Sequence, residues 1–202
     1  MNIAIKPLTP ELAGDYFDFF ENRAFTDDSP YRCYCQVFQM SKTEYKKTYH
    51  KAKVNPGPVS REEAARQIAT GILRGYLAYV DGISIGWCNA NDRANYPAKP
   101  YHDVPFHAPA ENREKAVICF MIAPEYRMKG VATALLAHVC EDARAEGYAS
   151  IVGFPVARTE RYEWDCRGPL RMYEKLGFVV AEEKARGGFM VMRKELTDKE
   201  NL

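Results

Sequence analysis

The sequence predicts a mixed α/β fold, one sheet flanked by helices, and three observations carry that prediction. The apolar run 116–122 is too short for an ordinary helix. After a break at Ala123-Pro124, apolar residues recur at helical spacing (Ala132, Leu135, Leu136, Val139, Ala143) until Gly147 stops them. Asp81-Gly82 sits between two β-rich runs, 75–80 and 83–88, as a primed hairpin turn requires. The elements then follow in the order strand, helices, hairpin, strand, helix, strand, helix, hairpin.

Taken along the chain, Ile3 and Ile5 alternate with polar neighbours in a short first strand. Thr9, with Pro10 behind it, is an expected N-cap for a helix whose face carries Leu12, Tyr16, Phe19 and Phe20. The aromatic and cysteine-bearing stretch 31–40 follows neither period. Residues 41–53, rich in lysine, read as an exposed helix. Ser60 and Glu63 have the spacing of a capping box that would launch a helix to about Gly71. Residues 91–113, rich in Pro, Asn, His and Tyr, form a long connection of the sort that walls a binding site. Residues 149–154 read as a buried strand, Gly168-Pro169 opens a helix stopped by Gly177, and 178–181 and 189–192 read as the last strand pair, joined by a turn containing Gly187-Gly188.

Composition excludes several classes. The 202 residues suffice for one domain with a sizeable core, expected to span 1–202. A formal net charge of +1 gives no electrostatic reason for a nucleic-acid or anionic-membrane partner. No apolar run approaches the roughly 20 residues of a membrane helix, and the first residues lack a signal-peptide core, so the cytoplasm is the expected compartment. Of six cysteines, Cys88, Cys119, Cys140 and Cys166 stand singly, where a thiol behaves as a small hydrophobe. Cys33-Tyr34-Cys35 is closely spaced, but the second pair of a structural zinc site is missing. No metal is expected, and a structural role competes with a metal or redox one.

The break at 123–130 is chemically informative. The first N–H groups of a helix lack internal partners and lie at the positive end of its dipole, so they attract phosphate. Gly130 lets backbone approach a ligand, the small residues after it keep the surface open, and Arg127 and Lys129 add positive charge. A diphosphate would sit well there. The nucleoside-triphosphate loop is a poor alternative, since no Gly-Lys-Ser/Thr follows at its spacing.

Arg127-x-x-Gly130-x-Ala132, after a strand ending in Ile122 and Pro124, resembles the acyl-CoA loop of the GNAT superfamily of N-acetyltransferases. A second match, Tyr173-x-x-x-Gly177-Phe178, resembles the end of the same fold, and the likeness is strongest over residues 76–192. The resemblance implies a central, twisted, mostly antiparallel sheet flanked by helices. It also implies an enzyme that moves an acetyl group from acetyl-CoA directly to a primary amine in a ternary complex, with a small molecule as the expected acceptor. A monomer or homodimer is expected. The alternatives are a protein or peptide acceptor, or a CoA-binding sensor or scaffold without turnover.

Carried over residue by residue, the resemblance gives Arg127, Met128, Lys129, Gly130, Val131, Ala132 and Thr133 to the diphosphate. The backbone at Phe120, Met121 and Ile122 would pair with the pantetheine arm, one N–H polarising the acetyl carbonyl. Tyr173 would protonate the departing thiolate, which a phenol of ordinary pKa near about 10 can do at neutral pH; the alternative is a core aromatic on an amphipathic helix. Many members carry Asn seven residues before this tyrosine and Ala four before it, both near the cofactor; here these are Cys166 and Pro169. The Cys166 thiol is also a conceivable nucleophile. No acid stands in the central strand, so His102, Asp103, His107, Glu160, Glu163 and Asp165 are the candidates for the base. The two histidines lead because they titrate near neutrality. A water chain serves as well.

A finer resemblance is to a bacterial GNAT subgroup with Cys-aromatic-Cys near its N-terminus, Gly-Trp on its third strand and Arg-x-x-Tyr-Pro after it. These read here as Cys33-Tyr34-Cys35, Gly86-Trp87 and Arg93-x-x-Tyr96-Pro97. Tyr34, Trp87, Arg93 and Tyr96 would line an acceptor pocket for a partly apolar substrate bearing an anionic group, or else Trp87 packs beneath a stabilised loop.

Overall fold

The structure, a computed structural model, describes residues 1–26, 33–49, 57–97, 107, 113–155, 166–185 and 189–196. Its strands are β1 (Ala4–Pro7), β2 (Gly75–Val80), β3 (Ile83–Asp92), β4 (Glu114–Ile122), β5 (Ser150–Gly153), β6 (Val179–Ala185) and β7 (Phe189–Glu195). Its helices are α1 (Ala13–Asn22), α2 (Lys42–Tyr49), α3 (Gly57–Ala69), α4 (Val131–Ala145) and α5 (Leu170–Lys175). The strands form one sheet in the order β1-β2-β3-β4-β5-β7-β6. Every neighbouring pair is antiparallel except β4 and β5. This is the mixed sheet flanked by helices that the sequence predicts.

Each face of the sheet buries its own core. Tyr16, Phe19 and Phe20 of α1 and Ala64 and Ile68 of α3 pack on Trp87, Ile118 and Phe154. On the opposite face Leu135, Leu136 and Val139 of α4, and Met172 and Tyr173 of α5, pack on Ile85, Val117 and Ile151. The split follows from strand periodicity, since neighbouring residues point to opposite faces. The β2–β3 turn is of the primed type, with Asp81 at φ 51° and Gly82 at φ 80°. Both α4 and α5 end in Schellman motifs: Tyr148 N–H donates to the Ala143 carbonyl at 2.9 Å, and Phe178 N–H to that of Tyr173 at 3.1 Å.

Two helix starts differ from expectation. The capping box lies at Ser41 and Glu44, where Ser41 N–H donates to Glu44 Oε2 at 2.8 Å and Glu44 N–H to Ser41 Oγ at 3.2 Å. Helix α3 begins three residues ahead of Ser60, whose hydroxyl instead meets the Tyr49 hydroxyl at 3.1 Å. Spacing alone cannot tell a cap from a hydroxyl spent on a neighbouring helix. The turn at Gly187-Gly188 lies outside the described residues.

At the start of β4, Glu114 pairs with Arg93, lies 2.9 Å from Arg193 and accepts from Ser150 Oγ at 2.8 Å. The Arg93 and Glu114 side chains are 12% and 8% exposed, so removing the carboxylate takes the acidic partner from a largely buried guanidinium. Glu114→Ala is expected to cost about 3–5 kcal/mol. Thermal unfolding should register this as a fall of roughly 10 °C, whereas an unchanged midpoint would show the pair to be dispensable.

Candidate active site

β4 and β5 pair only from Glu114 with Ser150 to Val117 with Gly153. One residue later β4 bulges: Asn89 of β3 faces Cys119, Ala90 faces Val117, and Ile118 is the extra residue. A bulge bends its strand and sharpens the local twist. Beyond the Val117–Gly153 rung, residues 118–122 therefore run on beside β3 alone, and a wedge opens where β5 has parted from β4.

The chain leaves this wedge through the turn Pro124–Tyr126 into α4. Gly130 is the N-cap of α4 at φ 85°, and no side chain caps the helix. The opening N–H groups of α4 are thus left for another acceptor. A Cβ built on Gly130 would meet nothing within 4 Å, so the space before these amides is open. Val131 is buried as the anchor into the core, while Ala132 and Thr133 are half-buried and Met128, Lys129 and Gly130 are exposed. Lys129 lies over the Tyr126 ring at 5.7 Å. Arg127 donates from Nε to the Ile122 carbonyl at 3.1 Å, which ties the turn to the end of β4. An open, cationic helix start of this kind fits the diphosphate of a nucleotide cofactor.

Tyr173 reaches the apex of the wedge from α5. A Cβ built on Gly153, the last paired residue of β5, would fall 2.1 Å from Tyr173 Cε1 and 2.9 Å from its hydroxyl oxygen. The phenol therefore lies flat against the rung at which the strands separate. It is fully buried, and its hydroxyl donates to the Arg167 carbonyl at 2.8 Å. Phe120 N–H, two residues past the bulge, donates to the Cys166 carbonyl at 2.5 Å. The Tyr173 hydroxyl and one of the three backbone N–H groups from which the resemblance draws its carbonyl donor thus stand at the wedge, and both are bonded to residues 166–167. Met121 and Ile122 line its β4 edge half-buried, and Pro169 is the exposed N-cap of α5.

The acceptor-side residues are placed differently from expectation. Trp87 is wholly buried beneath α1, edge-on to Tyr16 at 5.0 Å. Tyr96 is 1% exposed and donates to Asn89 Oδ1 at 3.0 Å. Arg93 is ion-paired with Glu114 at the far end of β4. Tyr34 donates to Glu21 at 3.2 Å while its backbone carbonyl accepts from Tyr16. Three of these four are therefore core or ion-pair residues, because aromatic and Arg positions in a loop look alike before the loop is folded back on the sheet. Of the candidate bases, His107 is held through Nδ1 by the Tyr96 carbonyl at 2.8 Å. His102, Asp103, Glu160, Glu163 and Asp165 lie outside the described residues.

Two groupings went unread in the sequence. Asn89, on β3, accepts from Gln39 at 3.1 Å and from Tyr96, and donates to the Cys35 carbonyl at 3.1 Å. It fastens residues 35–39 to the sheet beside the bulge. Around it gather four cysteines, Cys33, Cys35, Cys119 and Cys166, packed into one core. Hydrogen bonds with Cys166 and Cys35, together with burial, hold the Cys119 thiol well above the ordinary thiol range. Burial pushes Cys33 up to about 12. Protonated thiols of this kind are poor nucleophiles. Among the described residues no group of three or more Cys, His, Asp or Glu is set to hold a metal ion.

No functionally curated protein matches the sequence. Solved structures do. The PaiA N-acetyltransferase of Thermoplasma acidophilum, solved with coenzyme A, is 17% identical with a TM-score of 0.51, over 96% of this chain and 99% of that one. The ribosomal-protein-S5-alanine acetyltransferase of Vibrio fischeri is 12% identical with a TM-score of 0.59, over 98% and 95%. The ribosomal-protein-S18-alanine N-acetyltransferase of Escherichia coli is 14% identical with a TM-score of 0.52, over 100% and 99%. At such identities the likeness is one of fold. Sequence decides the family, because the acetyltransferase (GNAT) domain matches residues 73–180, more than half of the 202. The interval takes in the bulged strand, the open helix start and Tyr173: this chain belongs to the GNAT acetyltransferases, and is an N-acetyltransferase whose cofactor is acetyl-CoA.

Proposed function

We propose that the enzyme acetylates the primary amine of a small molecule by direct attack in a ternary complex, across the wedge between β4 and β5. The observation that carries this reading is the coincidence at one point of the strand separation, the uncapped start of α4 and the Tyr173 phenol. Acetyl-CoA supplies the acetyl group as an activated thioester. The amides of 131–133, with Lys129 and Arg127, would hold its diphosphate. Met121 and Ile122 offer a strand edge to the pantetheine arm. Phe120 N–H, released from the Cys166 carbonyl, would donate to an oxygen on which negative charge develops. Tyr173 holds a proton at its phenolic oxygen for a leaving thiolate.

A compact acceptor is supported by the packing on the α1 side of the wedge, where Phe154, Tyr96 and Cys119 are buried beneath residues 33–39. An extended peptide would need that face laid open. Of the candidate bases, His107 is the one among the described residues; a carbonyl can only accept, so the bond to Tyr96 puts a proton on its Nδ1.

Thiol release from acetyl-CoA, measured across a panel of small amines and of peptides with free N-termini, tests the acceptor class. Small amines should turn over, and exclusive turnover of peptides would overturn this part of the reading. Tyr173→Phe is expected to lower kcat by about a hundredfold or more without weakening CoA binding. Unchanged kcat would remove Tyr173 from the chemistry.

A further inference from the structure

We propose that residues 166–168 are a strap that closes the wedge in the resting enzyme and lifts when acyl-CoA enters. This rests on the acyl-transfer reading above and names a control of that same site. Two donors have been assigned to the reaction, one on β4 and one on α5, 53 positions apart in the chain. In the resting structure both are satisfied by successive carbonyls of a single segment: Phe120 N–H by Cys166 at 2.5 Å, and Tyr173 O–H by Arg167 at 2.8 Å. Neither donor can serve the reaction while it serves the strap, because each has a single hydrogen to give. One displacement frees both.

The segment has the other properties of a strap. It is anchored at its side chains: the Cys166 thiol is in hydrogen-bonding contact with Cys119 on β4. Gly168, at φ 78°, rests against Phe120, where a Cβ would come within 3.5 Å of the ring and 2.5 Å of Met172 Cε. That left-handed glycine stands between the strap and α5, so the strap can swing without unwinding the helix that carries Tyr173. Arg167 is 8% exposed, so the closed form is packed rather than loosely laid over the sheet. It also keeps buried donors paired until the cofactor brings its own acceptors, which avoids the penalty of orphaned polar groups.

The arrangement carries a binding consequence. Part of the population is closed, so the apparent affinity for acyl-CoA is reduced by the open fraction. Loss of the Tyr173 bond to the strap favours opening. Tyr173→Phe should therefore bind acetyl-CoA more tightly, by about fivefold for one hydrogen bond of ordinary strength, while turning over more slowly. A catalytic residue with no hold on the strap would lose turnover and gain nothing in affinity.

The native thiols of Cys119 and Cys166 supply a direct trap. Diamide takes two electrons and two protons from a thiol pair, leaving a disulfide and the hydrazine. In the protein without ligand, peptide mapping should find the 119–166 link, and the linked protein should bind acetyl-CoA only after reduction. Saturating acetyl-CoA should slow linking at least tenfold. An equal rate in protein that calorimetry shows to be saturated overturns the strap; should the buried thiols resist diamide altogether, the acetyl-CoA affinity of Tyr173→Phe decides, and no gain there overturns it. Failure of the reduced protein to bind acetyl-CoA at all is a separate result: it removes the cofactor seat itself, and the strap with it.

Discussion

Gly130→Trp is expected to abolish measurable binding of CoA and acetyl-CoA while leaving the protein folded. Two independent parts make up the effect. Gly130 stands at φ 85°, a conformation that costs residues with a Cβ roughly 1–2 kcal/mol, so any side chain there strains the turn before α4. More important, the space at its Cβ position is empty for 4 Å, and an indole placed there covers the opening amides that would hold the diphosphate. The residue is exposed, so nothing in either core has to yield. Gly130→Ala separates the two parts, since it carries the strain with almost none of the bulk. Calorimetry should find the alanine variant weakened by roughly tenfold or less, and the tryptophan variant without detectable heat.

The second large effect is expected at Gly153. An alanine methyl there would be driven into Tyr173, at 2.1 Å from Cε1 and 2.7 Å from Cζ. The ring has no open space to step into, because it is completely buried and packed edge-on to Phe178 at 5.3 Å, so any shift is forced. Overpacking of this kind costs about 1–3 kcal/mol, and the relaxation available is a shift of the phenol away from the rung. Gly153→Ala should therefore lower kcat by more than tenfold, with a smaller change in KM for acetyl-CoA. A purely structural role would lower the melting temperature and leave the surviving activity per folded molecule intact. Combining the change with Tyr173→Phe distinguishes the two. If the glycine acts by placing the phenol, it costs no further turnover once the hydroxyl is gone, and strict additivity would contradict that role.

The parts of this site that could be read in the sequence are those built from contiguous residues. The strand over 116–122, the turn and α4 form one continuous stretch, where a change of period and a glycine are visible together. Tyr173-x-x-x-Gly177-Phe178 was legible for the same reason, since helix face, stop and strand start follow one another. What lay hidden depends on long-range pairing. Nothing local marks Ile118 as the extra residue of a bulge, because the bulge exists only relative to β3. Asn89 looks like any polar residue of a strand until Gln39, Tyr96 and Cys35 arrive from distant segments. Cys119 and Cys166 stand singly in the sequence, and the fold places them beside the Cys33-Tyr34-Cys35 stretch. Trp87 and Arg93 show the other side of this: residue types suited to a pocket are equally suited to a core and to an ion pair, where the fold puts them.

The central claim is that the opening amides of α4 and the unpaired edge of β4 together hold the acyl-CoA. The most direct test is a crystal structure with acetyl-CoA bound, read at those two places. Diphosphate oxygens are expected within hydrogen-bond distance of the amides of 131–133, and the thioester carbonyl on Phe120 N–H. A cofactor bound elsewhere on the fold, or one seated at α4 with its thioester turned away from the β4 edge, would contradict it.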